Sequence, residues 1–212
     1  MTVHLKNIGK RYRREWIFRG LDYTFEAGKK YAILGHNGSG KSTLTRILTG
    51  HLTPSKGKIT FTENGNPIAA EDIYRRVAIA APYIDLIEEF TLTEAVNFHR
   101  RFKPFASGMT EAAVISLLNL PGAHHKEIRN FSSGMKQRLK LVLAVCSDVS
   151  LLLLDEPTTN LDAQGAQWYR DLIRDYAADK TVIVASNVAE DYAFCDAEIE
   201  ITNYKRKKHI FQ

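Results

Sequence analysis

Residues Gly35-His-Asn-Gly-Ser-Gly-Lys-Ser42 satisfy the pattern G-x-x-x-x-G-K-[ST] at every specified position. Gly35, Gly38 and Gly40 permit backbone angles that turn successive N–H groups inward, as a cluster of phosphate oxygens requires. A helix starting near Lys41 would aim the positive end of its dipole at the same charge. Lys41 is expected to reach the outer phosphates and the Ser42 hydroxyl to ligate Mg²⁺, with His36, Asn37, Ser39 and Thr43 completing the loop. A second constellation, Leu151-Leu-Leu-Leu-Asp155-Glu156, sets two carboxylates where an apolar strand emerges at its C-terminal end. In open α/β sheets that edge is where ligands bind. Asp155 is then placed to hold Mg²⁺, directly or through water, and Glu156 to polarise an attacking water. A Gly-rich turn and a pair of solvated acids are the plainer readings of each motif alone. Together they predict ATP and Mg²⁺ as cofactors and hydrolysis as the chemistry.

These groups need strands and helices to hold them. Thr2–Leu5 is a short strand candidate, and Leu21, Tyr23 and Phe25 alternate with polar residues. Tyr31–Leu34 is an apolar strand, after which Leu44, Ile47 and Leu48 share a helical face until Gly50. Gly57–Phe61 reads as a strand. The middle is helical over Thr93–Phe102, Thr110–Leu120 and about Ser132–Cys146. Strand Leu151–Leu154, helix Ala163–Ala178, strand Thr181–Ala185 and a short helix near Val188–Phe194 restore βα alternation. A closing pair is expected around Glu198–Ile201 and His209–Phe211. Near-continuous apolar strands separated by helices predict a largely parallel sheet covered on both faces, with the helical middle inserted as a lobe.

Composition excludes disorder and fibrous classes: 212 residues, 44% hydrophobic and 25% charged. A net charge of +5 is too small to indicate nucleic acid, and none is expected as a partner. Much of it comes from Tyr204-Lys-Arg-Lys-Lys208, read as a solvated hairpin turn. Cys146 and Cys195 lie in apolar stretches without paired spacing and read as thiols in a reducing compartment. The N-terminus lacks the apolar core of a signal peptide, and Leu139–Cys146 and Val149–Leu154 fall short of the roughly 20 residues that span a bilayer.

Two further segments give the chain a family resemblance. Phe131-Ser-Ser-Gly-Met-Lys-Gln-Arg138 resembles the L-S-G-G-Q signature and basic helix of ABC transporter ATP-binding subunits. Asp155-Glu-Pro-Thr-Thr-Asn-Leu-Asp162 resembles that family's acidic pair and D-loop, and order and spacing match across nearly the whole chain. The resemblance implies a single α/β domain over 1–212, a P-loop NTPase. Its mainly parallel sheet core carries an N-terminal antiparallel β part (core 1–80 and 148–212; helical lobe about 81–147). It also implies a homodimer in which Ser132, Ser133, Gly134 and Asp162 close over the other copy's ATP. Ser132 is independently a natural N-cap, and Gly134 would let a phosphate approach the backbone. Tyr12 resembles the aromatic that stacks on adenine, with Trp16 as a rival.

Three positions depart from the family pattern. Tyr83 stands where a metal-contacting glutamine is usual, and a phenol is a poorer Mg²⁺ ligand. Asn187 replaces a histidine; as a catalytic residue it can donate to a γ-phosphate but cannot take up a proton or carry a positive charge, which implies slower hydrolysis. Ser133 and Met135 replace glycine and glutamine. The resemblance implies a subunit on the cytoplasmic face of the cell membrane, powering a separate transmembrane subunit. That partner would dock around Tyr83–Phe102, with Phe90, Phe98 and Phe102 as candidate contacts. The absence of an extra C-terminal domain favours an exporter by family analogy. A soluble ABC-type ATPase acting in translation or DNA repair would carry two modules or a coiled-coil insertion. A regulator that binds ATP without hydrolysis is the remaining alternative, motivated by Tyr83 and Asn187.

Overall fold

Alternating and unbroken apolar runs produce two kinds of strand, and the two kinds form separate sheets. The computed structural model describes residues 1–205. The chain begins with β1 (Thr2–Tyr12), β2 (Glu15–Phe25), β3 (Lys30–Leu34) and α1 (Lys41–Leu48). β4 (Lys56–Glu63), the two-residue β5 (Asn66–Pro67), the one-turn α2 (Ile73–Arg76) and β6 (Val77–Ala80) follow. Then come the helices α3 (Leu92–Phe102), α4 (Glu111–Leu117) and α5 (Ser133–Cys146). The last part alternates β7 (Leu151–Asp155), α6 (Ala163–Tyr176), β8 (Thr181–Ala185), α7 (Ala189–Tyr192) and β9 (Ala197–Glu200).

β2-β1-β4-β5 is antiparallel, whereas β6-β7-β8-β3-β9 is parallel at every neighbouring pair. The parallel sheet is covered on both sides, which is why its strands are apolar without interruption. In β7, Leu152 and Leu154 face a core shared with Leu139 and Val142 of α5. Leu151 and Leu153 face another core, containing Leu44 and Ile47 of α1 and Phe61 of β4. Each such leucine contributes about 1.5–3 kcal/mol by burial. α3 starts at a reciprocal cap: the Glu94 N–H donates to the Thr91 hydroxyl at 3.3 Å, and the Thr91 N–H donates to the Glu94 carboxylate at 2.8 Å.

Several boundaries differ from expectation. β1 runs on past Leu5 to Tyr12, because register shifts between Leu5 and Ile8, with Asn7 at φ 52°, absorb the break in alternation. β6 has only four residues and no turn signal, so it had no separate expectation. α4 stops at Leu117 instead of Leu120, and Asn119 beyond it has φ 50°. α6 ends at Tyr176 ahead of Ala178, and the helix expected over Val188–Phe194 is confined to Ala189–Tyr192. Of the expected closing pair, the first member is β9, which lies parallel beside β3 and is followed by a 3₁₀ turn over Ile201–Tyr204. His209–Phe211 lies outside the described residues. Cys146 is buried, Cys195 is half-buried, and both are free thiols.

Candidate functional site

β3 delivers its C-terminal end into the glycine-rich loop, and α1 leaves that loop at Lys41 with Gly40 as its N-cap. Gly40 has φ 111°, and a Cβ there would meet Ile17 Cγ2 at 2.6 Å, so only glycine fits the turn. The Ser39 hydroxyl is buried inside the loop and holds no hydrogen bond. Lys41 is 5% exposed, and its ammonium donates to the Gly35 carbonyl at 2.6 Å and to Asn187 Oδ1 at 3.0 Å. A cleft of about 330 Å³ opens here, lined by Ile17, residues 37–43 and Glu156. Helix-end N–H groups, an unpartnered hydroxyl and a lysine make this an anion cradle.

β7 brings the carboxylates to the same edge. Asp155 is 1% exposed, and neither of its oxygens holds a hydrogen bond. Burial pushes its pKa up; the Ser42 hydroxyl and the Lys41 charge pull it back, and Glu156 opposes them. Two orphaned buried oxygens beside a serine hydroxyl are hard donors. They suit Mg²⁺, which takes few protein ligands and completes its shell with phosphate and water. Among the described residues no three His, Cys, Asp or Glu cluster into an all-protein cation cage. Glu156 adopts φ 47°, and its N–H donates to the Ala185 carbonyl at 2.8 Å. It lines the first cleft and also a second one of about 280 Å³, which contains Thr158, Ser186, Asn187 and Asp191. Asn37 is common to both clefts, and Asn187 Nδ2 donates to Asn37 Oδ1 at 2.7 Å.

Tyr83 lies against this edge as well. The Arg46 guanidinium sits 4.0 Å from the centre of its ring. Its hydroxyl is buried without a hydrogen bond and faces Asp155. Burial foremost, and then the Asp155 charge, raise the phenol's pKa, so it stays protonated and offers a cation only a neutral oxygen. Arg46 was missed from the sequence; its signal was its place one turn after Ser42 on α1. Ile17 and Asp191 were missed as well.

The remaining predicted residues lie elsewhere. Ser132 caps α5, accepting the Met135 N–H at 3.2 Å, and the exposed Ser133 opens that helix. The space a Cβ would take at Gly134 is filled by the Asn160 carbonyl at 2.9 Å. The glycine therefore also serves a contact within the chain. Asp162 caps α6, accepting the Gly165 N–H at 2.7 Å. None of these four lines either cleft. Tyr12 stands at the end of β1, 47% exposed, with Lys10 Nζ 5.4 Å from its ring centre. Ile17, and neither Tyr12 nor Trp16, lines the cleft.

The family model for ABC transporters matches residues 18–159. The chain belongs to the ABC transporter family. It is 32% identical over 195 residues to Nod factor export ATP-binding protein I of Rhizobium meliloti (strain 1021), covering 90% of this chain and 58% of that protein. An ABC transporter ATP-binding protein of Bacillus subtilis (strain 168), YybJ, whose function is uncharacterised, is 29% identical over 204 residues, covering 95% of this chain and 93% of that one. The chain spans about six-tenths of the length of the Nod factor export relatives it matches. Among solved structures, the dimeric bacterial ABC transporter cassette MJ0796 superposes with a TM-score of 0.80 at 20% identity, covering 94% of this chain and 95% of that one. A bacterial Atm1-family ABC exporter with ATP bound gives 0.78 at 23% identity, covering 95% of this chain and 37% of that one. The two structures establish an ABC-type P-loop fold, consistent with the parallel sheet, the antiparallel sheet and the helices between β6 and β7.

Proposed function

We propose that this chain is the ATP-binding and hydrolysing subunit of an ABC exporter, acting through a separate transmembrane subunit. The observation that carries the reading is Glu156, standing in the common wall of the two clefts beside Asp155. In this reading the Gly35–Thr43 loop and Lys41 hold the phosphates, and Ser42 and Asp155 would hold Mg²⁺, which screens the phosphate charge. Glu156 orients the attacking water, Asn187 donates toward the terminal phosphate, and Tyr12 stacks on the adenine. Asn187 cannot take up a proton or carry a positive charge, so hydrolysis is slower than where a histidine stands.

Ser132, Ser133, Gly134 and Asp162 lie outside both clefts, which supports their serving the ATP of a second copy in a homodimer. A similar cassette, MJ0796, has been solved as a dimer and in a post-hydrolysis state bound to ADP and Pi. The core would be 1–80 and 148–212, and the lobe about 81–147. An apolar groove of about 340 Å³ on the lobe supports the docking surface: Phe90 meets Phe98 edge-on at 5.2 Å, and Phe98 meets Phe102 at a tilt at 4.9 Å. No helix among the described residues is long and apolar enough to cross a membrane. In this reading the chain lies peripherally on the cytoplasmic face, held there by that partner. The export direction follows the printed names of the Nod factor relatives.

ATP turnover of the wild type beside Glu156→Gln tests the reading. Turnover that the substitution abolishes is expected. Equal, negligible rates in both would instead support an ATP-dependent regulator, the reading favoured by the hold of Asn187 on Lys41.

A further inference from the structure

One buried carboxylate has no part in the chemistry above. Asp191, on α7, is 1% exposed, and each of its oxygens accepts one hydroxyl: Oδ1 from Thr158 and Oδ2 from Ser186, both at 2.6 Å. The Ser186 oxygen in turn accepts the Val188 N–H at 3.0 Å, closing the turn that carries Asn187. The carbonyl of Asp191 accepts the buried Tyr169 hydroxyl at 3.0 Å, which ties α7 to α6. A carboxylate withdrawn from water is costly unless it is hydrogen-bonded, and an apolar residue would fill the space more cheaply. Burial raises its pKa, and the two hydroxyls act against that rise. Thr158 follows Glu156 by two residues, and Ser186 precedes Asn187 by one, so the two arms belong to the segments on either side of the second cleft.

We propose that Asp191 is a positioning residue that pins the Glu156–Asp162 segment to the Asn187 turn, so that Glu156 and Asn187 face one cleft in a fixed relation. The catalytic side of this proposal rests on the ATPase reading; the pinning does not. The arms act in series: Thr158 to Asp191, Asp191 to Ser186, and Ser186 to the backbone beside Asn187. Losing either hydroxyl severs the link, and losing both severs it no further. Asn187 in turn grips Lys41 and Asn37, so the same line runs on into the phosphate loop.

The test uses Thr158→Val, Ser186→Ala and the double variant of the full chain, with two readouts. The first is steady-state ATP hydrolysis alongside binding of a fluorescent ATP analogue. Each single variant should lower kcat about tenfold with analogue affinity unchanged, and the double should match the more impaired single. The second is amide hydrogen exchange without nucleotide. Ser186→Ala should speed exchange over 158–161, and Thr158→Val over 186–189, each across the cleft from the substitution. Exchange that changes only beside the mutated residue overturns the proposal, as do single-variant kcat values within twofold of wild type or multiplicative losses in the double. If the wild type shows no turnover yet exchange responds across the cleft, the pinning stands and the hydrolytic reading fails.

Discussion

His99 makes acid stability a quantitative test of how the lobe is packed. Its Nε2 lies 2.9 Å from the Ser147 hydroxyl, which donates onward to the Leu143 carbonyl at 2.6 Å. The ring stacks on Phe105 at 5.8 Å. The serine proton is committed to Leu143, so Nε2 must be the donor in this bond. Burial, and then the nearby Lys103 charge, lower the His99 pKa from 6.5 to about 4. The folded state thus binds its proton less readily than the unfolded chain. The associated stability is full above pH 6.5 and drains away as pH falls toward about 4. At about 1.36 kcal/mol per pH unit, the gap is worth about 3 kcal/mol. For a domain of this size that lowers the melting temperature on the order of 6–12 °C. Thermal melts of the wild type and His99→Gln from pH 7 to pH 4.5 measure it, since the amide can keep the bond to Ser147 and does not titrate. The wild type should lose stability more steeply than the variant across that range. Parallel melting curves would refute a neutral, half-buried His99.

Two further outcomes follow from exposed and close-packed positions. Phe102→Asp changes a side chain that is 67% exposed. It should leave the melting temperature within about 1 °C, consistent with a surface change, yet abolish co-purification with the cognate transmembrane subunit. Gly134→Ala would set a Cβ 2.9 Å from the Asn160 carbonyl. A loss of about 1–3 kcal/mol in chemical denaturation is expected, with nucleotide binding at the chain's own loop intact.

The phosphate loop and the acidic strand end were legible because their chemistry is written in consecutive residues. β7 and β8 were legible because burial on both faces leaves an apolar run with sharp ends. β6 was not, since four residues carry too little pattern, and β1 looked short because a bulge at Asn7 breaks its alternation. The placement of Arg46 over Tyr83, the grip of Asn187 on Lys41 and the two hydroxyls on Asp191 join residues 37, 146 and up to 33 positions apart. Pairings over such separations leave no trace in local spacing. Gly134 shows the converse: its motif was visible, but the neighbour that demands a glycine, Asn160, became evident only from the fold.

β7 and β8 present alternate residues to two cores that share little else: Leu152, Leu154, Val182 and Val184 on one side, and Leu151, Leu153 and Ile183 on the other. The helices from α3 to α5 pack on the first side, while α1 and the antiparallel sheet pack on the second. Drift on the helical side, which alters the apolar groove proposed above as a docking surface, can therefore proceed without disturbing the packing that sets the phosphate loop. Such a division would let one phosphate-binding face be kept while the opposite face is refitted to different partners.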